Sequence, residues 1–230
     1  MTKYLRPLAA AAMLLLCAAP ASADETTHAL PAPLLDTEGP QTPASETAVL
    51  AGGCFWGMQG VFQHVKGVKR VTAGYSGGNG DTAHYETVGT GRTGHAESVE
   101  IVFDPRAITY GQILRIYFSV MDPTTLNYQG PDDGTQYRSE IFYASPGQLR
   151  IAQSYVAQLN KARAFSEPIV TQLGALSKFY PAEGYHQNYL INHPYQPYIV
   201  INDMPKIATL RRLYPQLYVE RPVTVAQNGD

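Results

Sequence analysis

Between residues 48 and 213 the chain alternates short apolar runs with longer runs at helical spacing, and this alternation restricts the fold more than any other feature. Strands are predicted at 48–51, 68–75, 97–103, 139–144 and 169–173. The segment ESVEIVF, residues 97–103, alternates polar and apolar residues as a half-buried strand does, and Asp104-Pro105 ends it. Helices are predicted at 54–65, from a cap at Thr109 to 121, from a Ser145-Pro146 start to about 164, at 182–191 and at 204–213. Residues 128–135 read as a glycine- and aspartate-rich loop. Interleaved strands and helices of this kind predict an α/β or α+β domain in two layers around a mixed sheet.

The ends read differently. MTKYLRPLAAAAMLLLCAAPASA has a basic start, a short apolar stretch and a small-residue cleavage site at Ala21-Ser22-Ala23, which is the layout of a secretory signal peptide over residues 1–23. Cys17 follows the bulky Leu16, which argues against lipidation there. Residues 24–46 carry four prolines and no steady period, and read as a flexible leader. A catalytic domain over 47–220 and a frayed tail over 221–230 complete the organisation. Cleavage after Ala23 removes Lys3 and Arg6, leaving 15 basic against 19 acidic residues. That balance does not suggest a nucleic-acid or polybasic membrane binder. The mature chain is expected to be soluble, secreted or periplasmic, and monomeric by default.

The same cleavage would leave Cys54 as the only cysteine. Exported proteins usually pair their thiols or lack them, so a lone one is either buried and inert or kept for its reactivity. Gly52-Gly53 precedes it at a strand-to-helix turn, where free N–H groups and the helix dipole are expected to favour a thiolate of lowered pKa. Phe55 and Trp56 follow, about 100° apart on a helix. Phe55 fits the apolar stripe, whereas Trp56 does not and is free to wall a small pocket. Glu97 opens a strand; in an apolar setting its carboxyl would be a proton donor, but its sequence neighbours alone favour a solvated edge. Tyr137 leads into the 139–144 strand after an Asp132-Asp133-Gly134 turn. The aromatics of 179–190 read as core. The six histidines are scattered, with no spacing that suits a metal, and neither a phosphate-binding loop nor a serine-hydrolase elbow is present.

Taken together, Gly53-Cys54-Phe55-Trp56-Gly57, Gly94-His95-Ala96-Glu97 and Gly134-Thr135-Gln136-Tyr137-Arg138-Ser139 resemble the peptide methionine sulfoxide reductase A family, over about residues 49–214. The resemblance implies a two-layer, ferredoxin-like sandwich and reduction of the S epimer of methionine sulfoxide, free or in oxidised proteins. It implies Cys54 as nucleophile and Glu97 as proton donor. Tyr85 and Tyr137 would hydrogen-bond the sulfoxide oxygen, Phe55 and Trp56 would hold the S-methyl group, and Asp132 is the polar loop position near the site. It implies no bound cofactor. Pro131 stands where asparagine is common in the family. Gly89 stands where some relatives have cysteine, and RPVTVAQNGD lacks the tail cysteines that many carry. A sulfenic acid on Cys54 would therefore be reduced by an external thiol, either a small thiol or a thioredoxin-like protein. Two other readings remain: a cysteine acyl transferase or hydrolase with His95 or His186 as base, and a sulfoxide-binding module without activity.

Overall fold

The computed structural model describes residues 28–37 and 43–226 of the 230. Its centre is a six-stranded sheet built from β1 (Glu46–Gly52), β2 (Val68–Ser76), β3 (Ala96–Phe103), β6 (Ser139–Tyr143), β7 (Gln172–Ala175) and β8 (Phe179–Pro181). Their order is β7-β6-β1-β3-β2-β8. The β6–β7 pair is parallel and the others are antiparallel, so the sheet is mixed as expected. β7 lies three residues later than the sequence pattern places it. The 128–135 loop contains a two-stranded hairpin, β4 (Tyr128–Gln129) with β5 (Asp132–Asp133).

Side chains alternate across β1, so Ala48 and Leu50 enter the main core while Val49 and Ala51 join Ala96 and Phe142 on the opposite face. The main core lies under the helices. α1 (Phe55–Gln63) packs on β2 and β3, and α3 (Tyr110–Val120) lies against α4 (Pro146–Ala162) and α6 (Met204–Leu213). The predicted caps form: Thr109 and Gln112 close a capping box on α3, and the Ser145 side chain accepts from Gln148 N–H ahead of Pro146. α2 (Tyr85–Val88) and α5 (Tyr189–Asn192) are single turns. The continuous helix predicted over 182–191 is not formed. Glu183 and Gln187 are extended, Asn188 is left-handed, and a 3-10 turn at Gly184–His186 precedes α5. The buried polar side chains explain the break, because Gln187 bonds both the N–H and the C=O of Ala73 in β2, which a helical path would not allow.

The leader expectation needs correction over its described part. Residues 28–37 are docked on α3 and α4 rather than free. Leu30 is buried in the main core, Arg115 Nε donates to Leu30 C=O at 2.6 Å, and Tyr155 OH donates to Pro31 C=O at 2.9 Å. Asp36 accepts from Thr109 Oγ1 and, at 2.8 Å, from Gly111 N–H, adding an acidic cap to the start of α3. The tail is likewise tied over 221–226: Val223 N–H donates to Gln63 C=O at 3.0 Å, and Asn188 Nδ2 donates to Val225 C=O at 2.8 Å. Composition misses both because a few backbone bonds and one buried leucine are enough to fix a proline-rich strand of chain. The signal-peptide segment, Cys17 and residues 227–230 lie outside the described residues. Among the described residues, no helix is long and apolar enough to cross a membrane.

Candidate active site

The chain leaves β1 at Gly52 and reverses through Gly53 at φ +85°, a left-handed conformation that suits glycine. A Cβ there would also lie 2.6 Å from the side chain of Gln129. Gln129 is itself fixed, accepting from Asp122 N–H at 3.0 Å and donating to Thr125 Oγ1 at 2.8 Å. The reversal leaves Cys54 as the N-cap residue of α1, 7% exposed. The backbone N–H of Trp56 favours its thiolate. Even so, the expectation of a lowered pKa is wrong. Burial pushes the Cys54 thiol well above its ordinary value, and the carboxyls of Glu97 and Asp203 push it the same way. Lys206 and the Trp56 N–H oppose this and do not prevail, so the resting form is the thiol.

Glu97 is 3% exposed, which excludes the solvated-edge reading. It shares its strand face with Val99, Ile101 and Phe103, all in the main core, so the strand aims it beneath α1. Its Oε2 accepts from Phe55 N–H at 3.0 Å. Burial raises its pKa to about 8 against that hydrogen bond, with Asp132 and Asp203 adding to the rise. At neutral pH it is mostly a neutral acid.

Tyr85, from α2, and Tyr137, from the 3-10 turn Thr135–Tyr137, are half-buried around the same point. Burial first, then the proximity of Glu97, raises both hydroxyls, Tyr85 to about 12; Cys54 acts on both in the same direction. Both hydroxyls are therefore donors at any ordinary pH. Asp132, half-buried on β5, accepts a hydrogen bond from Tyr198 OH. Cys54, Glu97, Tyr85, Tyr137 and Asp132 are thus brought into one site.

Phe55 and Trp56 form its apolar wall. Phe55 is fully buried, with ring centroids 5.8 Å from Tyr75 and 5.0 Å from His186. Trp56 is half-buried, stacked on Tyr189 at 3.9 Å with 12° between planes, and its Nε1 donates to His186 Nδ1 at 3.0 Å. A histidine that accepts through Nδ1 is neutral with its proton on Nε2, in keeping with burial pushing its pKa down to about 4. Glu183 anchors the neighbourhood, accepting from Tyr75 OH at 2.8 Å and from Tyr85 N–H at 2.9 Å.

Sequence reading misses Tyr189, Glu183, Tyr198, Asp203 and Lys206, and offers His186 only as a base for acyl transfer rather than as a partner of Trp56. His186 and Tyr189 stand three residues apart in an aromatic run read as core; the others carry no local signal. His95 is spent on structure, with Nδ1 accepting from Gly78 N–H and Nε2 against Asn79 C=O at 2.9 Å. Neither proposed acyl-transfer base is therefore left to serve Cys54. Among the described residues no cluster of His, Cys, Asp or Glu could hold a metal ion.

A buried thiol, a protonated carboxyl, two hydroxyl donors and an aromatic wall suit attack on a small polar group that carries an apolar substituent. The protein-family model described as peptide methionine sulfoxide reductase matches residues 46–216. A peptide methionine sulfoxide reductase MsrA 2 of Mesorhizobium japonicum is 62% identical over 184 residues, covering 80% of this chain and 94% of the relative. One of Synechocystis is 47% identical over 188 residues, covering 80% and 88%. Among solved structures, Mxr1 of Saccharomyces cerevisiae in reduced form aligns with a TM-score of 0.60 at 31% identity, over 70% of this chain and 91% of that one. Methionine sulfoxide reductase A of Corynebacterium diphtheriae aligns with a TM-score of 0.58 at 34% identity, over 68% and 80%.

Proposed function

The chain belongs to the peptide methionine sulfoxide reductase family and is an oxidoreductase acting on methionine sulfoxide; from that premise we propose that Cys54 attacks the sulfoxide sulfur while Glu97 protonates its oxygen. The observation that carries this is the buried, protonated Glu97 bonded to the N–H of Phe55, the residue beside the thiol. A sulfoxide sulfur is a poor electrophile because oxide leaves badly. Protonation of the oxygen as the thiolate attacks removes that obstacle and is worth roughly 10²–10⁴-fold. The Glu97 carboxylate left behind keeps the Phe55 N–H at the start of α1, which lowers the cost of releasing the proton.

Tyr85 and Tyr137 donate to the same oxygen. Phe55 and Trp56 take the methyl group, with His186 and Tyr189 holding the indole in place. Donors on one side of a chiral sulfur and an apolar wall on another support selection of the S epimer. In the balanced step the sulfoxide oxygen passes to Cys54. The substrate sulfur gains two electrons to become methionine, and Cys54 loses two to become a sulfenic acid. The proton taken from Glu97 is replaced by the one the thiol gave up.

Recycling then needs an outside thiol. Among the described residues Cys54 is the only cysteine, and it is free. One external thiol condenses with the sulfenic acid, releasing water and leaving a mixed disulfide; a second thiol, or the second sulfur of a dithiol protein of thioredoxin type, frees Cys54. Repair of oxidised methionine in exported proteins, by a secreted or periplasmic monomer, completes the proposal. Mass spectrometry after one turnover without reductant tests it. One added oxygen on Cys54 and one methionine per chain are expected. Unchanged turnover in Cys54→Ser would overturn the reading.

A further inference from the structure

We propose that Asp203 and Lys206 form a charge pair that sets the reactivity of Cys54, Asp203 restraining the resting thiol and Lys206 limiting that restraint. The inference rests on the reading of Cys54 as nucleophile and adds two positioning residues to it. Its geometry starts at Gly57, third residue of α1 and one turn beyond Cys54. The first turn is closed by Met58 N–H to Cys54 C=O at 3.4 Å. A Cβ on Gly57 would meet Asp203 Oδ1 at 2.1 Å and Lys206 Nζ at 3.0 Å. Both charged heads therefore occupy the place of the missing side chain, on the turn that Cys54 caps. Residues three apart on a helix are neighbours, with Cβ positions about 5–6 Å apart.

The chain builds this approach in an unusual way. Ile199–Asp203 is a π-helical stretch running directly into α6, and its last residue is Asp203. Such turns disturb regular side-chain spacing and recur at functional sites. Asp203 is fully buried and Lys206 Nζ donates to its Oδ1 at 3.0 Å, while Oδ2 has no hydrogen-bond partner among the described residues. Burial raises the Asp203 carboxyl and Lys206 opposes the rise; a buried carboxyl with one oxygen unsatisfied is an uncommon expense of stability, of the kind kept where a site uses the group.

The groups around Cys54 are Glu97 from β3, Tyr85 from α2, Tyr137 from its 3-10 turn, Asp132 from β5 with Tyr198 ahead of the π-helical stretch donating to it, and the pair itself. Glu97 and the tyrosines are neutral at pH 7; burial raises the Asp203 and Asp132 carboxyls, and Lys206 opposes the rise in both. Of these carboxyls, Asp203 is the one paired with Lys206 against α1. They act on the thiol in opposite senses, Asp203 upward and Lys206 downward.

The test measures alkylation of Cys54 by iodoacetamide across pH, followed by peptide mass spectrometry so that Cys17 does not contribute. It uses the full chain and no sulfoxide, so its failure would leave the nucleophile reading standing, which Cys54→Ser tests separately. Asp203→Asn retains an oxygen for Lys206 and should speed alkylation at pH 7 roughly three- to tenfold. Lys206→Met should slow it, and Lys206→Arg should restore it. Variants that merely loosen the site would both move the same way, towards faster labelling. Unchanged or slower alkylation in Asp203→Asn, or a shift of both variants in one direction, would overturn the proposal.

Discussion

Replacing Glu97 by Gln removes the acidic group and almost no volume, and its consequences can be worked from the site. The Glu97 pKa of about 8 leaves it about nine-tenths protonated at pH 7, whereas Cys54 is almost wholly the thiol. The reactive form, thiolate beside carboxylic acid, is then a minor species. Below pH 8 its population follows the thiolate and grows about tenfold per pH unit; above pH 8 the loss of the Glu97 proton cancels that gain. A pH profile of kcat/KM for a methionine S-sulfoxide peptide should therefore rise and break to a plateau near pH 8. In Glu97→Gln the rate should fall roughly 10²–10⁴-fold, and the break near pH 8 should vanish while the rise continues. Stability should move the other way. A carboxyl raised from 4.5 to about 8 stabilises the fold below pH 4.5 relative to its effect at higher pH, and that contribution is lost as pH rises to about 8. At 1.36 kcal/mol per pKa unit the loss is of the order of 5 kcal/mol, so urea unfolding should find the variant gaining on the wild type across that window. A variant within about threefold of wild type at pH 7, or one that keeps the break, would refute Glu97 as the proton donor.

His186→Ala should release the indole of Trp56. Because Trp56 is the only tryptophan, its emission should shift to the red, and kcat/KM should fall by about tenfold, the worth of one hydrogen bond and its packing. Gly57→Ala should cost about 1–3 kcal/mol in chemical denaturation, since its methyl group would lie 2.1 Å from Asp203. Asp36→Ala should lower stability by about 0.5–2 kcal/mol through the start of α3 and leave sulfoxide kinetics unchanged in a steady-state assay.

Local patterns carry most of the sheet and helices into view. Thr109 with Gln112, and Ser145 with Pro146, are helix starts readable over four residues, and both form. Glu97 was more legible than its sequence neighbours alone suggest: its parity with Val99, Ile101 and Phe103 puts it on the core face. The sign of the Cys54 shift is another matter. The helix N-terminus is a local feature that favours the thiolate, but burial is set by the whole fold, and burial prevails. Asp203 and Lys206 stand about 150 residues from Cys54, and only the close approach at Gly57 connects them.

The docked stretch 28–37 also has a mechanical meaning. β1 runs straight to Gly52, so any displacement along β1 is felt at Cys54. A pull arriving from upstream of residue 28 meets Leu30, Pro31 and Asp36 first, where α3 and α4 take the load. Anchored there, residues 28–37 would pass such a load to α3 and α4 before it reached β1 and the nucleophile.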